Sequence, residues 1–159
     1  MALETQAYDR ISQTLRRDQR VLWDHFQAGK TVQSLDPALA EVYELKADGL
    51  PELNLTGNLE FIGGFSYIAG QWYPLLRAIG SGLVSPEHEQ FMDAELERKF
   101  PDAKITTEII RDALTKDPSG ATFLEQRARV EFRQETLELA GARRAIAGIR
   151  KLHEASSLA

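Results

Sequence analysis

The chain has 159 residues, 43% of them hydrophobic and 27% charged, with a net charge of −5 and no cysteine. At that length a single domain with a real core is the simplest organisation, and the acidic balance argues against general nucleic-acid binding. Without cysteine there is no disulfide, thiolate nucleophile or Cys-based zinc site, and no apolar run reaches the roughly 18 residues of a membrane span.

The opening Met1-Ala2-Leu3-Glu4 lacks the basic and apolar regions of a signal peptide, so a cytoplasmic location is the expectation. Residues 4–27 read as an amphipathic helix. Tyr8, Ile11, Leu15, Leu22 and Phe26 lie near one face, interrupted at Asp18 or Gln19. Arg16, Arg17 and Arg20 fall on the other side, and Gly29 is a stop. Asp36-Pro37 opens a second, short helix, with carboxylate at N-cap and proline at N1. Its inward residues are Leu39, Val42 and Tyr43, and it is expected to end near Gly49-Leu50-Pro51.

Residues 50–58 alternate apolar and polar, as an extended segment does. The most apolar part of the chain follows. Phe61, Phe65, Ile68 and Trp72 keep the 4-3-4 spacing of one helical face, although Gly63, Gly64 and Gly70 each cost about 1 kcal/mol there. Pro74 cannot donate to the ladder and clashes with the carbonyl of Gly70, so a kink or break is expected. Residues 59–80 are therefore read as a buried, broken helix at the centre of the core. Ser85-Pro86-Glu87 caps a helix running to about Lys99, with His88, Met92, Leu96 and Phe100 inward. A short helix at about 106–116 carries Ile109, Ile110, Ala113 and Leu114, and Asp117-Pro118-Ser119-Gly120 ends it.

The last third, 122–155, reads as one long helix. Thr122 and Glu125 can cap each other reciprocally, good helix formers dominate, and no proline interrupts. Phe132, Leu139 and Ile146 fall seven residues apart on one face. Such a helix is about 50 Å long against a domain about 40 Å across, so it spans the molecule or projects from it. The fold class expected is all-α, one domain over 1–159, an irregular bundle of five or six helices.

Candidate chemistry is sparse. His25, His88 and His153 are isolated, with neither His-x-x-x-His nor Glu-x-x-His present, so no metal or cofactor is implied. Glu89, Asp93 and Glu97 stack on one face, but a hard-cation site usually needs a loop to gather its oxygens. Gly64-Phe65-Ser66-Tyr67-Ile68 misses the last glycine of a nucleophile elbow. Gly80-Ser81-Gly82 lacks the rest of a phosphate loop.

Two features remain. Gly141, Ala145 and Gly148 form a small-residue strip on the long helix, where another backbone could approach closely. The charges also segregate. Arg143, Arg144, Arg150 and Lys151 make the C-terminal end basic, and Arg10, Arg16, Arg17 and Arg20 do so near the N-terminus. Residues 86–118 hold nine Asp or Glu against five Lys or Arg. Complementary patches suit head-to-tail or heteromeric assembly. The leading expectation is a non-enzymatic helical subunit that self-associates or binds a protein partner. Its contact would be Gly141, Ala145 and Gly148 with Ile146, Ile149 and the arginines 143, 144 and 150. The alternative is a small-molecule binder or sensor, with Phe61, Phe65, Tyr67, Ile68, Trp72 and Tyr73 lining an apolar pocket. A weaker third option is an enzyme using His88 and Glu89 with Asp24 and His25 in one cleft.

Overall fold

The computed structural model describes residues 2–45 and 55–158, with side chains over 5–45 and 60–156. Among them every regular element is helical, and together they make the expected irregular all-α bundle with a long C-terminal helix. The helices are α1 (Ala2–Gln27), α2 (Pro37–Val42), α3 (Leu55–Ser66), α4 (Tyr73–Gly80), α5 (Glu89–Lys99), α6 (Thr107–Lys116), α7 (Ala121–Glu131) and α8 (Leu137–Leu158). Single 3-10 turns occupy Val32–Ser34 and Pro86–His88, and a π-helical turn, Tyr67–Trp72, joins α3 to α4. Of the stretch expected to be extended, residues 50–54 lie outside the described residues, and 55–58 are helical, the start of α3.

The central rod is α3, the π turn and α4. Phe61, Ile62, Phe65, Ile68, Ala69, Trp72, Tyr73, Leu76 and Ile79 are all buried along it. Where a break is expected at Pro74, the chain widens instead. The Tyr73 N–H donates to the carbonyl of Ile68, five residues back, and this wider turn carries the helix past the proline at the start of α4. Against the rod lies α8, and the two helices meet backbone to backbone. A Cβ added at Gly64 would stand 1.7 Å from the Glu138 carbonyl oxygen, and one at Gly141 1.8 Å from that of Phe61.

The single helix expected over 122–155 is two helices. α7 stops at Glu131, residues 132–136 turn, and α8 starts at Leu137. Thr136 supplies the second start, its Oγ1 accepting from the Leu139 N–H at 3.1 Å. At about 33 Å for 22 residues, α8 folds back along α7, and Arg150 reaches Glu125 at 3.6 Å. Folding back buries Leu124 and Ala128 of α7 together with Leu139, Ile146 and Ile149 of α8; a projecting rod would leave part of that surface in water.

The α7 cap also differs from the Thr122–Glu125 pair expected. Gly120, at φ +75°, is the N-cap residue and brings no side chain to the task. Asp117 does it from the preceding turn. Its Oδ1 accepts from the Ser119 N–H and hydroxyl at 3.2 and 2.6 Å. Its Oδ2 accepts from the Thr122 N–H and hydroxyl at 3.0 and 2.8 Å. Burial pushes this carboxyl up, but the Ser119 and Thr122 donors outweigh it and hold the group below its usual range. A depressed folded-state pKa contributes stability that is present above the unfolded value, about 3.9, and is lost as pH falls through the folded one. Asp117→Asn is therefore expected to cost about 1 kcal/mol near neutrality, as a lost cap does. The deficit relative to wild type should shrink as acid protonates Asp117; urea unfolding of both proteins across acid pH measures it.

Asp18 explains the interruption in the apolar face of α1. It is buried beside Leu15 and Leu22 and accepts a 2.6 Å hydrogen bond from the Tyr43 hydroxyl. Tyr43 follows α2 and is fully buried. Burial first, then the bond to Asp18, pushes its phenol far above the ordinary range. The ring fills the notch over Gly148, where an added Cβ would lie 2.2 Å from it. α2 ends earlier than the sequence indicates, at Val42, because Glu44 turns into the left-handed region at φ 54°. α5 stands at the periphery and buries only Leu96, while Met92 and Phe100 are partly covered. His88 is exposed rather than inward; its Nδ1 lies 2.7 Å from the Ser85 hydroxyl.

Candidate interaction surface

The contact expected on the C-terminal helix is taken up by the chain itself. Gly141 lies under the Phe61 carbonyl, Gly148 under the Tyr43 ring, and Ala145, Ile146 and Ile149 are buried. The basic residues around them are paired within the chain. Arg143 meets Glu135 at 3.1 Å, Arg144 and Lys151 both meet Glu44 at 3.6 and 3.7 Å, and Arg150 meets Glu125. Lys151 Nζ also donates to the Glu41 carbonyl at 2.8 Å. Small residues at spacings of four and three give a close approach to whatever arrives, and here it is the α3 backbone at Gly141 and the Tyr43 ring at Gly148.

The aromatic residues expected to line a pocket do come together, as packed core. Phe61, Phe65, Ile68, Trp72 and Tyr73 are fully buried. Tyr43 and Phe65 meet edge to face at 5.0 Å, Phe26 meets Phe61 at 6.2 Å, and Trp72 stacks on Phe100 at 4.2 Å. Tyr67 packs against Phe132 at 5.3 Å, and burial pushes its phenol up to about 12. The Arg127 guanidinium stands 5.3 Å from the Trp72 ring centre and pairs with Glu131.

The histidines are scattered. His25 Nε2 lies 2.7 Å from the Thr31 carbonyl and 3.2 Å from the Ser34 hydroxyl after α1, and His153 packs edge-on to Tyr8. Glu89 pairs with Arg111 at 3.6 Å, and Asp93 accepts from the Thr107 N–H at 2.8 Å. Two of the three stacked carboxylates thus hold α6 to α5. Among the described residues no group of three or more His, Asp or Glu is gathered as a metal site would need, and no helix is long and apolar enough to cross a membrane.

What the structure leaves open lies on α1. Its inner face, Tyr8, Ile11, Leu15, Leu22 and Phe26, is buried, which turns Arg16, Arg20 and Trp23 outward at helical spacings of four and three. Trp23 is 41% exposed. Neither guanidinium forms an ion pair or hydrogen bond with another described residue. Beside them runs an open cleft of about 600 Å³ lined by Arg16, Gln19, Arg20, Trp23 and Asp24, and closed on the far side by Gly70. The π turn points Ile68, Ala69 and Trp72 inward and leaves Gly70 and Gln71 outside, so the far wall is bare backbone. The nearest atom to a Cβ at Gly70 would be Gln19 Oε1, 3.9 Å away. Sequence reading finds the arginines, takes Gly70 only as a cost to its helix, and passes over Trp23. The available signal is Trp23 on the polar side of an otherwise well-patterned helix. Compared with known protein families, curated proteins and solved structures, the chain matches none.

Proposed function

We propose that this chain is a non-enzymatic helical interaction subunit that engages another protein chain through the outer face of α1. The observation that carries the reading is Trp23, 41% exposed, in one row with Arg16 and Arg20, two guanidiniums unpaired among the described residues, beside a cleft that Gly70 also lines. Tryptophan and arginine are the side chains most enriched where binding energy concentrates. A large indole gains by leaving water, and Gly70 lets a partner side chain reach the backbone. The folded core beneath is well packed, so α1 acts as a rigid platform at little ordering cost. The test is a photo-crosslinking residue at position 23, with position 130 as control, since Val130 is an apolar site on α7 at least as exposed. The expected result in the native cell is a discrete protein adduct from position 23 that disappears in the Arg16→Glu/Arg20→Glu background. Labelling at position 23 no stronger than at 130 would overturn the proposal.

A further inference from the structure

The α1 surface has a counterpart on the same molecule. α5 buries one residue, Leu96, and its outer face carries Phe91, 71% exposed, the most exposed large apolar side chain among the described residues. Glu95 lies one turn beyond Phe91 on that face, and Glu87 precedes it in the Pro86–His88 turn; both are exposed. Residues 83–99 hold five carboxylates against Arg98 and Lys99; Glu89 and Asp93 turn to α6, which leaves Glu87, Glu95 and Glu97 exposed. Arg98 is already engaged by Glu95 at 2.8 Å, an exposed pair that contributes little. α5 with the turn before it is therefore an acidic ridge with an aromatic knob, and α1 a basic cleft with an aromatic rim.

Resting on the interaction reading above, we infer that the occupant of the α1 cleft is the α5 ridge of a second copy of this chain, with Phe91 set against Trp23 and Gly70 and Glu87 facing Arg16 and Arg20. Charge decides the pairing. Two α1 faces would bring four guanidiniums together and two α5 faces would crowd carboxylates, so only the unlike pair is complementary. Such a contact is heterologous: each copy uses its cleft on one neighbour and its ridge on another, and copies add until a ring closes or a filament grows.

This geometry has a specific test, read by analytical ultracentrifugation. Wild-type protein should gain mass with concentration and lose it at high salt. Arg16→Glu/Arg20→Glu removes the cleft, and Glu87→Lys/Phe91→Ala removes the ridge. Each should weaken self-association by roughly thirtyfold or more, the loss of a central contact. Mixed together, the two variants retain one good cleft and one good ridge, and should form a 1:1 dimer that grows no further. All four side chains are exposed, so helical content should be unchanged; Arg20→Ala and Phe91→Ser replace any reversal that perturbs it. A monomeric wild type at every concentration, a variant that associates as wild type does, or a mixture that stays monomeric would each overturn the inference. In those cases an adduct from position 23 to a different chain would leave the interaction reading standing, and the absence of any adduct would remove both.

Discussion

Gly141→Leu is expected to destabilise the folded chain severely, and Gly141→Ala to cost about 3 kcal/mol or more. The group that an added Cβ meets is not a flexible side-chain end. It is the carbonyl oxygen of Phe61 at 1.8 Å, with the Phe65 nitrogen at 3.0 Å behind it. An oxygen in the middle of α3 can yield only if the helix moves, and the inner face of α3 is fully buried. Overpacking of a close-packed core usually costs about 1–3 kcal/mol, and more where backbone must shift. Leucine adds three further carbons to the same clash, against a total stability of about 5–15 kcal/mol for a domain. Gly64→Ala should behave alike, since its Cβ would lie 1.7 Å from the Glu138 oxygen on the facing helix. Both substitutions push on one crossing, so the double variant should lose less than the sum of the two. Urea unfolding with native mass measured alongside reads the outcome. If Gly141→Leu kept its melting temperature while the native mass fell, the small-residue strip would face a partner after all.

The contrast between that strip and the α1 cleft shows what the sequence makes legible. Periodicity found the inner faces: Tyr8 to Phe26 on α1 and Phe61 to Trp72 on the central rod are buried as their spacing indicates. Local chemistry found the Asp36-Pro37 start, where Asp36 accepts from the Ala38 N–H at 3.0 Å, and the Thr106 cap of α6. What it could not supply is the identity of the surface each face meets. A strip of small residues permits close approach by any backbone, and only the tertiary fold says that α3 is the one. The break after Glu131 has a similar cause. No Gly or Pro marks Phe132 to Thr136, and each residue there tolerates helix, but one long rod could not bury both its halves against the same core. Thr136 was the one available local sign. In the same way Asp18 reads as an error of patterning until Tyr43, 25 residues on, is seen to need an acceptor.

Trp72→Ala is expected to cost about 3–5 kcal/mol, in the range for deleting a large core aromatic. The upper part of that range applies here, because the indole is the hub of four contacts. Its ring stacks on Phe100 with planes 21° apart, Phe123 and Tyr67 meet it edge-on at 5.6 and 6.3 Å, and Arg127 stands over it. Arg127 is only 8% exposed, so deleting the ring takes the cation–π partner from a largely desolvated charge, a contact worth about 2 kcal/mol in such surroundings. The stack also ties α5 to the rod, since Phe100 follows the last turn of that helix. Loss of Trp72 should therefore loosen α5 before the rest of the bundle, and hydrogen exchange should show α5 amides losing protection first. The chain has two tryptophans, which makes the burial itself measurable. With Trp23→Phe, the remaining emission should come from Trp72, blue-shifted and shielded from acrylamide. With Trp72→Phe, it should come from Trp23, red-shifted and readily quenched. A Trp72-only protein that emits like an indole in water would contradict the packing described, and with it the rigid platform on which the α1 surface depends.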